Sequence, residues 1–208
     1  MKRVAGAAVI IAIVLLSGCA GLFPPVASPA TTAALVRPAG RGVVYLLRGG
    51  FNIFSTGMDE LAVKLRAQGV DARSAGHSEW REIAAEARDR YAKDKTPIIL
   101  VGHSWGALAA VLIAMELEES NTPVALMILY DGTESVRIPP NVRHVINFVS
   151  ATNIGIGLKA TALPGFTGKI ENIDEPAYNH INIDNAVPLH DLSIAAILPV
   201  VRRAAVRR

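Results

Sequence analysis

The stretch that most constrains the fold is Gly102-His103-Ser104-Trp105-Gly106, a Gly-x-Ser-x-Gly pattern in a particular setting. It directly follows Pro97-Ile98-Ile99-Leu100-Val101, which reads as a buried strand, and directly opens an apolar helix over Ala107 to Glu119. A chain that passes from strand to helix this quickly needs a sharp turn, and the residue at its apex adopts a backbone conformation strained for any side chain with a Cβ. Gly102 and Gly106 leave room for the turn and for close helix-strand approach, and Ala107, Ala109 and Ala110 keep that contact thin. The turn lifts the Ser104 hydroxyl clear of the sheet and aims a helix N-terminus at it. It also places the Trp105 N–H where an anionic oxygen can be bound.

Strand-like and helix-like stretches alternate on both sides of this turn. Short apolar runs predict strands over Val43 to Leu47, Pro97 to Val101, Val124 to Tyr130 and Val142 to Val149, with weaker ones over Val70 to Ser74 and Lys169 to Ile173. Helical periodicity or composition predicts helices over Met58 to Gln68 (stopped by Gly69), Glu79 to Lys93, Ala107 to Glu119 and Asn185 to Val201. This order argues for an α/β fold of three layers, a mostly parallel sheet with helices on both faces. In such sheets a site forms at the carboxyl ends of the strands, where Ser104 falls.

From Arg41 to Val201 the chain resembles the α/β-hydrolase superfamily, in particular its compact esterase and thioesterase-like members, and most specifically at the Ser104 turn. The resemblance implies acyl transfer from an ester or thioester, with Ser104 as nucleophile and no cofactor or metal. A serine of this kind needs a base within hydrogen-bond reach and a carboxylate to orient it. The superfamily's chain order is serine, acid, histidine. Of the five histidines, His103 lies inside the turn and reads as structural, His77 precedes it in a loop, and His144 starts a strand at the wrong end of the sheet. His180, between the last strand and the closing helix, is preferred over His190, for which a partly exposed structural role is expected. The acid usually follows the strand before the last one, but that strand runs into Ser150-Ala151-Thr152-Asn153, which holds no carboxylate. Asp131, one strand earlier, is the preferred acid and Asp174 the alternative. For the oxyanion hole, Trp105 is joined by Gly50, with Phe51 next, in Arg48-Gly49-Gly50-Phe51, where Arg48 replaces the usual histidine. Arg48 is free to pair with an acid near the site or to form a surface ion pair.

Only Gly132 to Asn141 is available where many members insert a lid, so no lid domain is expected. The apolar stretch from Ala151 to Gly168 either borders an acyl groove with Phe51, Phe54 and Trp105 or covers the sheet edge. A hydrolase fold without chemistry, acting as a tethered interaction protein, and an amidase or peptidase are the rival readings.

The N-terminus reads as an address. Met1-Lys2-Arg3 is a positive start, and Val4 to Leu16 is apolar but shorter than the roughly 20 residues that span a bilayer. Leu16-Ser17-Gly18-Cys19 is similar to the lipobox of bacterial lipoproteins. That implies cleavage before Cys19, lipid on its sulfur and a membrane anchor at the cell envelope, with Ala20 favouring the outer membrane. Two or three acyl chains anchor stably at about 0.8 kcal/mol per buried CH₂. The organisation expected is a signal peptide over residues 1–18, a lipidated Cys19 with a Pro- and Ala-rich tether to residue 40, and the folded domain over 41–208. Cys19 is the single cysteine, so no intrachain disulfide forms. The formal charge of +3 falls near +1 once Lys2 and Arg3 are removed, and no basic stripe with interleaved aromatics points to nucleic acid.

Overall fold

A computed structural model describes residues 40–50, 55–150 and 158–206. The elements in chain order are β1 (Val43–Arg48), α1 (Thr56–Ala67), β2 (Asp71–Gly76), α2 (Trp80–Asp94), β3 (Ile98–His103), α3 (Trp105–Glu119), β4 (Val124–Tyr130), β5 (Arg137–Ile138), β6 (His144–Ser150), β7 (Thr161–Ala162), β8 (Lys169–Glu175) and α4 (Val187–Val206). Single 3₁₀ turns at His77–Glu79 and Ile183–Asn185 lead into α2 and α4. The expected signal peptide, Cys19, nearly all of the tether, Phe51, Phe54, Ile154 and Ile156 lie outside the described residues.

Six strands form one parallel sheet in the order β2-β1-β3-β4-β6-β8. Side chains alternate across a strand, and here both faces are buried. Val43, Tyr45 and Leu47 of β1, Ile98 and Leu100 of β3, and Met127 and Leu129 of β4 join one core with α2 and α3. Val44 and Leu46, Ile99 and Val101, and Leu126, Ile128 and Tyr130 join the other with α1 and α4. Each such side chain contributes roughly 1.5–3 kcal/mol by leaving water. Double-sided burial explains why the central strands are unbroken apolar runs. The fold is thus the three-layer α/β arrangement expected, and no lid domain is evident among the described residues.

The edges are built differently. β2 and β8 carry exposed Asp71, Arg73, Lys169 and Asp174, which discourage further strand pairing. Both strands run two residues beyond their expected ends. β5 and β7 pair in parallel as a separate two-stranded ribbon. Phe166, a few residues beyond β7, packs with Ile170 against the core. The described part of the 151–168 segment therefore packs on the face of the sheet that carries α2 and α3.

Candidate active site

The turn after β3 has the geometry its glycines require. Ser104 adopts φ 59° and ψ −123°, a region costing on the order of 1–3 kcal/mol for a residue with a side chain. A Cβ on Gly102 would lie 2.2 Å from the Gly106 carbonyl oxygen, and one on Gly106 would lie 2.1 Å from that of Leu47. Helix α3 therefore presses directly on β1 and β3, and Ser104 stands at its N-cap, 8% exposed.

Three of the residues singled out from the sequence come together here. Ser104 Oγ lies 3.0 Å from His180 Nε2, and His180 Nδ1 lies 2.8 Å from Asp131 Oδ2. Asp131 follows β4 with φ 46° and is 1% exposed. Burial alone would raise its pKa, but hydrogen bonds from His180 and Ser150 outweigh this and hold the carboxyl below its ordinary value. Ser150, the last residue of β6, supplies two of those bonds: its backbone N–H donates to Oδ1 and its hydroxyl to Oδ2, each at 2.8 Å. The seat expected to hold an acid thus holds a donor that orients the acid of the neighbouring strand.

The alternatives lie elsewhere. Asp174 is 65% exposed and faces Lys159 at 3.6 Å. His190 is fully buried rather than partly exposed: Nε2 donates to the Asp184 carbonyl at 2.6 Å and Nδ1 accepts from Lys64 Nζ at 2.9 Å. Burial and the Lys64 charge together hold it below the usual histidine range. His144 bonds Glu171 at the far end of the sheet. Arg48 pairs with Asp59 of α1 at 2.8 Å, both side chains partly exposed.

A second group, centred on His103 and with connections the sequence does not disclose, backs the first. His103 is 2% exposed, and burial followed by the nearby His180 ring pushes its pKa down to about 4, so it is neutral. Its Nε2 donates to the His180 carbonyl at 2.9 Å, which leaves Nδ1 to accept the Ser55 hydroxyl at 2.7 Å. Ser55 Oγ in turn accepts the Gly49 N–H at 2.9 Å. The His180 backbone and the Gly49-Gly50 turn are thereby tied through one imidazole. Ser55 occupies the N-cap of α1 but makes no side-chain cap bond there. Asp184, fully buried 3.9 Å from His103 Nδ1, accepts the Gly57 N–H at 3.1 Å, and burial pushes its carboxyl up to about 6.

Gly50 faces Trp105, whose ring a Cβ at Gly50 would meet at 3.1 Å. From Trp105 a cleft of about 330 Å³ extends along α3 past Leu108 and Leu112, with His77, Trp80 and Glu134 among its walls. Its lining is mostly apolar. Among the described residues, no group of three or more His, Cys, Asp or Glu is arranged to hold a metal ion. None of the described helices is long and apolar enough to cross a membrane.

The chain belongs to the α/β hydrolase family, whose model matches residues 13–195. Among solved structures, Aspergillus fumigatus lipase B superposes with a TM-score of 0.53 at 11% identity, over 79% of this chain and 57% of that one. Human thioesterase 2 gives 0.47 at 14% identity, over 80% and 99%. The thioesterase of the prodiginine pathway in Streptomyces coelicolor gives 0.48 at 14%, over 85% and 96%. At these identities the likeness concerns the fold alone. No curated protein matches the sequence with significance.

Proposed function

We propose that the chain is a serine hydrolase that cleaves a carboxylic ester or thioester through an acyl-enzyme intermediate. The observation that carries this reading is the continuous hydrogen-bonded path from the Ser104 hydroxyl through His180 to the buried Asp131. Ser104 Oγ attacks the carbonyl carbon while its proton passes to His180 Nε2. Asp131, ionised, keeps the other proton on Nδ1 and stabilises the imidazolium. The N–H groups of Trp105 and Gly50 hold the oxyanion. Collapse of the tetrahedral adduct expels the alkoxide or thiolate, which takes the proton from Nε2. Water, deprotonated by His180, then attacks the acyl-serine and releases the carboxylic acid. The apolar cleft that starts at Trp105 suits the acyl chain.

The test is to treat the full-length chain, held in mild detergent, with a fluorophosphonate probe and read the intact mass beside Ser104→Ala. A single adduct mapped to Ser104 and missing from the variant is the expected result. No adduct at pH 8 in folded protein overturns the reading.

From Leu16-Ser17-Gly18-Cys19 we also infer that Cys19 carries diacylglycerol and tethers the domain at the bacterial cell envelope. Cys19→Ser is expected to move the protein from the membrane fraction to the soluble one. A distribution unchanged by that substitution removes the tether.

A further inference from the structure

The hydrolase reading asks the Gly50 N–H to face the oxyanion, and the sequence makes that orientation hard to keep. Gly49-Gly50 is the single Gly-Gly pair of the chain. With no Cβ on either side, the peptide between them meets little steric resistance to flipping end over end. A flip would turn a carbonyl toward the site and reverse the sign of the dipole presented to the developing charge.

One hydrogen bond opposes this, and another anchors the peptide before it. The Gly49 N–H donates to Ser55 Oγ at 2.9 Å, which fixes the preceding peptide. The Gly49 carbonyl oxygen lies 3.2 Å from His77 Nδ1. A carbonyl only accepts, so His77 carries a proton on Nδ1 and donates it. The Gly49-Gly50 peptide is trans, since the described chain contains no cis bond. Its C=O and N–H therefore point in opposite directions, and holding one aims the other. The sheet itself brings His77 to this place: β1 and β2 pair in parallel with Arg48 opposite Gly76, so the next residues, Gly49 and His77, leave the sheet side by side. The His77 ring also stands edge-on to Trp105, centroids 5.3 Å apart at 70°, beside the other proposed donor.

We propose that His77 is a positioning residue of the oxyanion hole: its Nδ1–H holds the Gly49 carbonyl so that the Gly50 N–H faces the tetrahedral oxygen. The assignment rests on the hydrolase reading above. His77 is only partly buried, so substitution there leaves the cores intact.

The experiment compares full-length wild type, His77→Leu and His77→Asn in steady-state hydrolysis of a p-nitrophenyl ester, with thermal melts of all three. Loss of an oxyanion donor lowers turnover by about 10²–10³-fold, and misaiming one is expected to cost about 10- to 100-fold in kcat for His77→Leu, with KM within about threefold. Asn carries its amide nitrogen where His carries Nδ1, so His77→Asn is expected to recover most of the lost kcat. Unimpaired kcat in His77→Leu overturns the assignment while leaving the hydrolase reading standing. So does His77→Asn failing as badly as His77→Leu with an unchanged melting temperature, since that pattern reports packing rather than donation. If wild type neither turns over esters nor labels at Ser104, the hydrolase reading falls and the assignment with it.

Discussion

Replacing Asp131 by Asn should disable the chemistry through hydrogen-bond direction rather than through lost packing. The Asp131 carboxylate accepts three bonds: Ser150 N–H on Oδ1, and Ser150 hydroxyl and His180 Nδ1 on Oδ2. An asparagine must place its NH₂ at one of the two positions. At Oδ1 it would confront a backbone N–H that can never accept. At Oδ2 it meets the Ser150 hydroxyl, which can turn to accept, and His180 Nδ1, which accepts if the ring carries its proton on Nε2. The amide therefore settles with NH₂ toward His180, and the ring is held in the tautomer that cannot take the Ser104 proton. Reaching the working tautomer requires flipping the amide and leaving two buried N–H groups face to face, about 1–3 kcal/mol each or about 4 kcal/mol together. At about 1.4 kcal/mol per decade this is a loss of roughly 10³ in kcat/KM, with the fold intact. The assay is hydrolysis of a short p-nitrophenyl ester at pH 8, with circular dichroism to confirm folding. Ser150→Ala is the companion variant: it removes the hydroxyl but keeps the N–H that dictates the amide's direction, and should cost less than tenfold. Asp131→Asn retaining more than a tenth of wild-type activity refutes the reasoning.

Asp184 supplies a test by stability. Its buried carboxyl is pushed up to about 6 from 3.8, so between those values the folded chain holds a proton that the unfolded chain releases. Stability from this group is therefore greatest at low pH and declines as pH rises through 6, by about 3 kcal/mol for a shift of about 2 units. Asp184→Asn keeps an acceptor for the Gly57 N–H and should raise the melting temperature by about 4–8 °C at pH 8, for a gain of roughly 2 kcal/mol, and by almost nothing at pH 4. An equal effect at both pH values contradicts this. Leu112 tests the cleft: it lies about two helical turns from Trp105. Leu112→Trp should shorten the preferred acyl chain by two or more carbons, with each excluded CH₂ worth about 0.8 kcal/mol, or about fourfold in kcat/KM. A chain-length profile identical to wild type rules out this path for the acyl group.

Legibility in the sequence followed burial. β1, β3 and β4 are covered on both faces, so they are written as unbroken apolar runs and were readable from composition and length alone. β2 and β8 lie at the edges, where Arg73, Lys169 and Asp174 face water, and their ends came out two residues short. β5 and β7 are two residues each, too short for any periodicity. The serine turn was readable because its steric demands fall on glycines within two residues of Ser104. The choice between Asp131 and Asp174 was not a local matter. It depends on β4 and β6 pairing with Tyr130 opposite Phe148, which sets Asp131 beside the end of β6. The partners of Ser55, Ser150 and His103 were not legible for the same reason. Their roles are defined by partners 6 to 77 positions away along the chain, and a serine or histidine carries no mark of which distant group it will meet. His190 was expected partly exposed at a turn beyond Pro188, yet Tyr130 and the 3₁₀ turn at Ile183–Asn185 enclose it.

With the carboxylate at the end of β4, the end of β6 supplies hydrogen-bond donors to it instead of a charge. Ser150 completes the polar arrangement as the last residue of its strand, held by sheet pairing. The direction in which the Asp131 side chain points is accordingly set by strand register rather than by a loop.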